Sequence, residues 1–217
     1  MARGTTTRGT TARALRILVL LPLLFVMSSC YVPDKFRAEL RLSKYGDYLL
    51  TYEGDLVYLP ILHDYAENKV KPEDDARRQE EIRQDLIRDR AFSQVTTLGH
   101  GRFHVSYARG ARLGRDQLVA IIRRDARMLA LKSKPDNRII IAANEVKPSD
   151  ADALLQSGIG MKGEFRITTD ANVIENNATE VRPFGTANVY IWKIDGPLSP
   201  MPRMVIVRDI DPQRPLP

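Results

Sequence analysis

Three histidines, a lone cysteine, one glycine-rich run and scattered carboxylates are the residues of this chain that could do chemistry. His100 and His104 stand four apart, a spacing that brings two imidazoles to one metal if a third ligand joins them. No third ligand lies near them in sequence. The pair falls in and just after a hairpin turn, with His104 on the polar face of a strand beside Arg102 and Ser106, so it is read as a solvated pair. His63, next to Asp64 after an apolar strand, is read as a loop residue. Gly158-Ile159-Gly160-Met161-Lys162-Gly163 matches the dinucleotide fingerprint letter for letter. That fingerprint needs a strand before it and a helix after it, so that the pyrophosphate meets a helix N-terminus. Here the order is reversed, and Gly158 is read instead as a helix C-cap. No Gly-x-Ser-x-Gly elbow, His-Glu-x-x-His pair or P-loop occurs. The carboxylates are spaced for helix pairing and do not suggest a glycosidase. Asn177-Ala178-Thr179 fits the glycosylation sequon and is read as coincidence. The expectation is a protein that is not an enzyme, with no metal and no cofactor.

Cys30 is the residue with a specific chemical context. Residues 1–16 are rich in Thr, carry Arg3, Arg8, Arg13 and Arg16, and hold no acid. Ile17 to Met27 is an apolar run, and Ser28-Ser29 precede the cysteine. A basic segment, a short apolar core and small residues in that order make a secretory signal. A run this short, interrupted by Pro22, falls below the roughly 20 apolar residues that span a bilayer. Met27-Ser28-Ser29-Cys30 resembles the lipobox of bacterial lipoproteins, with Met in place of the usual Leu. The resemblance implies palmitate-type acylation of Cys30, whose thiol is a strong nucleophile for S-alkylation. Each buried methylene contributes about 0.8 kcal/mol, so two or three acyl chains hold a protein on a membrane stably. The residue after the cysteine is Tyr31 and not the Asp of inner-membrane retention. That points to an outer membrane, facing the periplasm, if the host has two membranes.

The charge supports the same division. The chain has 33 basic and 27 acidic residues, formally +6. Four of the basic groups belong to the signal, leaving 29 against 27, so a nucleic-acid partner is not expected. Hydrophobic residues make up 43% and charged residues 28% of the chain, which excludes wholesale disorder or a rod. A single cysteine excludes a disulfide framework.

The mature part reads as hairpins. Phe36, Ala38, Leu40 and Leu42 alternate with polar residues, a half-buried strand. Lys44-Tyr45-Gly46-Asp47 makes a turn in which Gly46 can take positive φ. A second strand runs from Tyr48 towards Leu62, with a break near Glu53-Gly54-Asp55. Residues 72–90 read as a solvated helix, with Pro72 in its first turn, acids leading, arginines trailing, and a narrow stripe of Ala76, Ile82, Leu86 and Ile87. Further hairpins are expected at 94–107, with the turn Gly99-His100-Gly101, and at 128–142, around Pro135-Asp136-Asn137. Residues 118–127 are ambiguous between helix and strand. A short helix begins at Pro148-Ser149-Asp150 with Ser149 as N-cap, and strands follow at 163–168, 188–194 and 203–207.

Three strands share one phrase. Gly46 to Tyr52 and Gly101 to Tyr107 both read Gly-x-aromatic-x-aliphatic-x-Tyr, and Gly163 to Thr169 matches all but the last place. Alternation on a one-sided sheet produces such a phrase without an internal repeat. The fold expected is α+β, an antiparallel, hairpin-rich sheet covered by a charged helix and a short helix. Its organisation is a lipoprotein signal peptide at 1–29, one domain at 30–208 and a flexible tail at 209–217. The inward residues Tyr48, Leu50, Phe103, Val105 and Phe165 are the candidate ligand-binding set. A cavity between them would mark a carrier of lipid or another apolar ligand, and a filled core would mark a scaffold.

Gly163 to Ile194 is the most distinctive segment, with Thr168-Thr169-Asp170, Asn172-Val173-Ile174, Asn176-Asn177 and then Tyr190-Ile191-Trp192. It resembles the C-terminal part of envelope lipoproteins of the LppM type. The resemblance implies a β-rich fold with similarity to lipid-binding modules and no catalytic residues. The reading is a cell-envelope lipoprotein that binds or scaffolds, in contact with the membrane through Cys30 and with envelope proteins or lipid as partners.

Overall fold

The computed structural model describes residues 31–67, 69–123, 126–211 and 213. Cys30 and the signal-like segment lie outside these residues. Strand β1 (Tyr31–Leu42) begins at the first described residue and pairs antiparallel with β2 (Asp47–Tyr58). Helices α1 (Leu59–Ala66) and α2 (Pro72–Ile87) follow, then the hairpin β3 (Phe92–Gly99) and β4 (Arg102–Arg112). Next come β5 (Leu118–Arg123), β6 (Ala126–Ser133), β7 (Arg138–Ala143) and helix α3 (Pro148–Gln156). The chain ends in β8 (Gly163–Thr169), β9 (Asn172–Asn176), β10 (Glu180–Phe184), β11 (Ala187–Ile194) and β12 (Arg203–Val207).

Two sheets form where one was expected. The larger has the order β10-β11-β8-β1-β2-β4-β3, and the smaller β5-β6-β7-β12-β9. Within the larger sheet β8 runs parallel to β1, with Ala38 opposite Phe165 and Leu40 opposite Ile167, so the sheet is mixed and not purely antiparallel. Adjacent hairpins can only predict antiparallel neighbours. The chain between β1 and β8 builds most of the smaller sheet and α3 before returning in the same direction. Strands β5 and β6 pair antiparallel, so the described residues of the ambiguous stretch 118–127 are strand, with 124 and 125 outside the description.

One core holds the sheets together. The larger sheet contributes Leu40, Leu50, Phe103, Ile167 and Trp192, and the smaller contributes Leu131, Ile141, Met204 and Ile206. The repeated phrase is the inward face of β2, β4 and β8. Tyr48, Leu50, Tyr52, Phe103, Val105, Tyr107, Phe165 and Ile167 are all buried on it. Phe36 lies between Gly54 on β2 and Gly163 on β8, with its ring edge-on to Phe165 at 4.9 Å. The β1 register shifts there, between Asp34 and Arg37, and Lys35 takes φ 47°. This bulge is the irregularity that the sequence signals at Glu53-Gly54-Asp55, yet β2 runs through it unbroken.

The helices differ in part from expectation. The stretch after Tyr58 is helix α1, not strand, and it carries His63. α2 packs on edge strand β3, with Leu86 fully buried and Ile87 exposed. α3 is capped by Lys147 and not by Ser149, because Pro148 takes its first turn. Its C-terminus is a Schellman motif: Gly158, at φ 71°, donates to Leu155 O at 2.9 Å and Ile159 to Leu154 O at 2.9 Å. The glycine fingerprint is thereby a helix stop. Arg102 of β4 donates to Ser157 O (2.9 Å) and Gly158 O (3.3 Å) and lies 4.0 Å from the buried Asp34 carboxylate, fastening that helix end to the sheet.

Candidate binding groove and the histidine site

The outward face of the larger sheet carries the alternate residues that the repeated phrase skips. Register places Glu39 opposite Arg166 and Arg41 opposite Thr168, with Leu49 beside Arg41 on β2 and Val189 beside Thr168 on β11. These side chains floor a groove of about 820 Å³ at the Leu42 end of β1. Phe184, Thr186 and Ala187 of the β10–β11 hairpin form one wall, and Ser43, Asp47 and Asp170 close the end. Phe184 is 67% exposed and Leu49 42%.

The end wall is fixed by polar bonds. Lys44 N–H donates to Asp170 Oδ1 at 2.7 Å, and Asp47 N–H to Ser43 Oγ at 3.1 Å. The floor is an alternating charge ladder: Arg41 Nε donates to Glu39 at 3.1 Å, and Arg166 Nε donates to Glu164. Floor charges that are already paired and an apolar rim suit an amphipathic ligand or a polypeptide segment.

Of the five candidate ligand residues, Leu50, Phe103, Val105 and Phe165 sit in the filled core at 2% exposure or less. Tyr48 alone borders the groove. The strand pattern marks the inward positions and not Arg41, Leu49, Arg166 and Phe184, which line the groove. The first three were legible as the outward alternates of the same strands. The contribution of Phe184 depends on β10, a strand with no signal in the sequence beyond one alternation.

Both histidines reach solvent, His100 exposed and the His104 side chain 38% exposed, and each also has a protein partner. His100 packs on Tyr65, ring centroids 4.7 Å apart. His104 stands between two acids of β2, with Nδ1 2.8 Å from Asp55 Oδ1 and Nε2 3.2 Å from Glu53 Oε1. Those partners are some fifty residues away in sequence, which hid them. An imidazolium donates to both acids at once; a neutral ring can serve only one. The hydrogen bond to Asp55 leads in raising the His104 pKa above its ordinary value, with Glu53 adding to it. Among the described residues no cluster of three His, Cys, Asp or Glu has the geometry to hold a metal.

A folded pKa above the unfolded one means that His104 stabilises fully below the unfolded value, near 6.5, and that this contribution is lost as pH rises through the folded value. The thermal midpoint of the wild type should therefore fall relative to His104→Gln as pH climbs from 6 to 8. Parallel midpoint curves for the two proteins over that range would refute the coupling.

No protein-family model matches the chain, and no curated protein matches it. The NMR structure of the folded domain of LppM from Mycobacterium tuberculosis is similar at TM-score 0.44 and 13% identity, over 85% of this chain and 95% of that one. At that distance the likeness assigns no function. No helix of the described residues is long and apolar enough to cross a membrane.

Proposed function

We propose that this protein is a cell-envelope lipoprotein, acylated on Cys30, that acts as a non-catalytic binding or scaffolding module. The observation that carries the reading is the polarity of β1. The strand opens at Tyr31, directly after the lipobox-like cysteine, and Tyr31 is buried against Tyr58 at 4.9 Å between ring centroids. The groove lies at the other end of the same strand. Eleven residue steps of about 3.3 Å, from Tyr31 to Leu42, put roughly 35 Å between the start of the strand and the far end of the groove. A rigid strand thus presents the groove away from the lipid surface, towards the periplasm if the host has two membranes. The filled core favours the scaffold over a carrier that stores ligand between sheet and helices. The apolar rim of the groove leaves it suited to an envelope protein or a surface-bound lipid.

Cys30→Ser should abolish incorporation of labelled palmitate and move the protein from the membrane fraction to the soluble fraction. Retention of Cys30→Ser in washed membranes would overturn the anchor. A stoichiometric lipid-sized adduct in native mass spectrometry, lost on Phe184→Asp, would put the carrier reading first.

A further inference from the structure

A sheet that ends in an uncovered strand offers a row of backbone donors and acceptors to another chain. Three of the four sheet edges here are covered or irregular. Helix α2 packs on β3, and β3, β5 and β9 each carry a register shift against the neighbouring strand. Strand β10 ends the larger sheet on its other side and keeps unbroken register with β11 from Glu180 to Phe184. Among the described residues no further strand lies beside it. Its apolar side chains face water, with Val181 47% and Phe184 67% exposed.

The register fixes which backbone groups of β10 point away from β11. Gly185, at φ 60°, and Thr186 make a two-residue turn, so the flanking Phe184 and Ala187 form a hydrogen-bonded pair. Alternation along the ladder then commits Arg182 and Glu180 to β11 and turns the backbone groups of Val181 and Pro183 outward. Pro183 has no N–H to offer, and the Thr179 amide is already given to Ile191 O at 2.8 Å. The donor left on this edge is the Val181 N–H, with the Val181 carbonyl beside it. The Val181 side chain lies on the core side, opposite buried Tyr190. Glu180 and Arg182 stand together on the outward face, where Arg182 Nε donates to Glu180 and Lys193 Nζ lies 4.0 Å from the same carboxylate.

We infer that β10 pairs antiparallel with β10 of a second copy of this chain, about a two-fold axis at Val181. Outward-pointing backbone groups must meet their like, so a symmetric pairing can centre on Glu180, Val181, Arg182 or Pro183. Centring on Glu180 or Arg182 sets like charges directly opposite each other, and centring on Pro183 leaves no donor at the axis. Centring on Val181 forms two reciprocal N–H···O bonds. It also sets Glu180 opposite the partner's Arg182, and Arg182 opposite the partner's Glu180. Together with the Glu180–Arg182 pair inside each strand, the four charges alternate around a closed ring. On the core side the two valines cover each other, and two seven-stranded sheets become one. The interface takes nothing from Cys30, so it stands apart from the lipoprotein reading.

Sedimentation equilibrium of the full chain in density-matched detergent, over a wide range of concentration, should show a reversible monomer–dimer equilibrium. Arg182→Glu and Glu180→Arg should each weaken it about tenfold or more, because the axis makes one substitution create two like-charge contacts. Mixed in equal amounts, the two variants should associate as tightly as the wild type, since an edge with two arginines then meets an edge with two glutamates. The double variant that exchanges the two residues within one chain should dimerise as well. Loss of folding in either variant would not be recovered by mixing. Val181→Pro removes the outward donor and no bond to β11, and it should abolish the dimer. A wild type that stays monomeric at every concentration would overturn the interface. So would a dimer that Arg182→Glu leaves unchanged, or a mixture no tighter than each variant alone.

Discussion

Gly163→Ala should destabilise the protein by about 3 kcal/mol or more, the upper range for overpacking a filled core. A Cβ at position 163 would overlap the Phe36 ring and reach the Phe36 carbonyl oxygen at 2.5 Å. The ring could rotate away, but the carbonyl belongs to the β1 backbone and cannot move without parting β1 from β8. Gly54→Ala should cost at least as much. Its Cβ would lie 2.5 Å from Phe36 Cα and 2.8 Å from Lys35 O, and its φ of 148° strains any side chain. The two glycines flank β1 from both neighbouring strands, so either change strikes the centre of the larger sheet. Phe36→Leu should recover part of the Gly163→Ala loss and little of the Gly54→Ala loss, because only the former involves the ring. Urea unfolding of the single and double variants checks both statements. A loss under about 1 kcal/mol for Gly163→Ala would show that the strands can separate freely there.

Trp192→Ala should cost about 3–5 kcal/mol, as emptying a large aromatic site does. Trp192 is fully buried on β11 opposite Phe165, and its Nε1–H donates to Asn177 Oδ1 at 2.8 Å. The same oxygen accepts the Arg203 amide at 2.8 Å, and Asn177 Nδ2 donates to Met201 O at 2.9 Å. One carboxamide therefore joins β11 of the larger sheet to the start of β12 in the smaller. Asn177→Ala would leave the buried indole N–H and two backbone groups without partners, a loss of about 2–3 kcal/mol. Trp192→Phe keeps most of the burial and gives up one hydrogen bond, about 1 kcal/mol. In the Asn177→Ala background that last loss should vanish. Additive losses in this double-mutant cycle would mean that the indole and the carboxamide act independently.

Asn177 also shows what a local pattern can mislead. By type and position it reads as a turn residue or a sequon, and Asn176 does make the turn, accepting the Ala178 amide at 3.1 Å. Asn177 instead reaches fifteen and twenty-six residues along the chain. His104 follows the same rule, since Glu53 and Asp55 become its neighbours only when β2 and β4 pair.

What the sequence by itself determined is everything whose cause is local. Period-two alternation placed β1, β2, β4, β8 and β11, because a strand buried on one face repeats every second residue. Gly46 at φ 87° and Asn137 at φ 62° mark turns that their residue types favour, and Gly158 ended a helix. The tertiary structure alone decided the division into two sheets, the parallel seating of β8 beside β1, and the groove beneath Phe184. Each depends on which strand lies next to which. Side-chain periodicity encodes a face and not a neighbour, and neighbours are chosen by the burial of a shared core assembled from the whole chain.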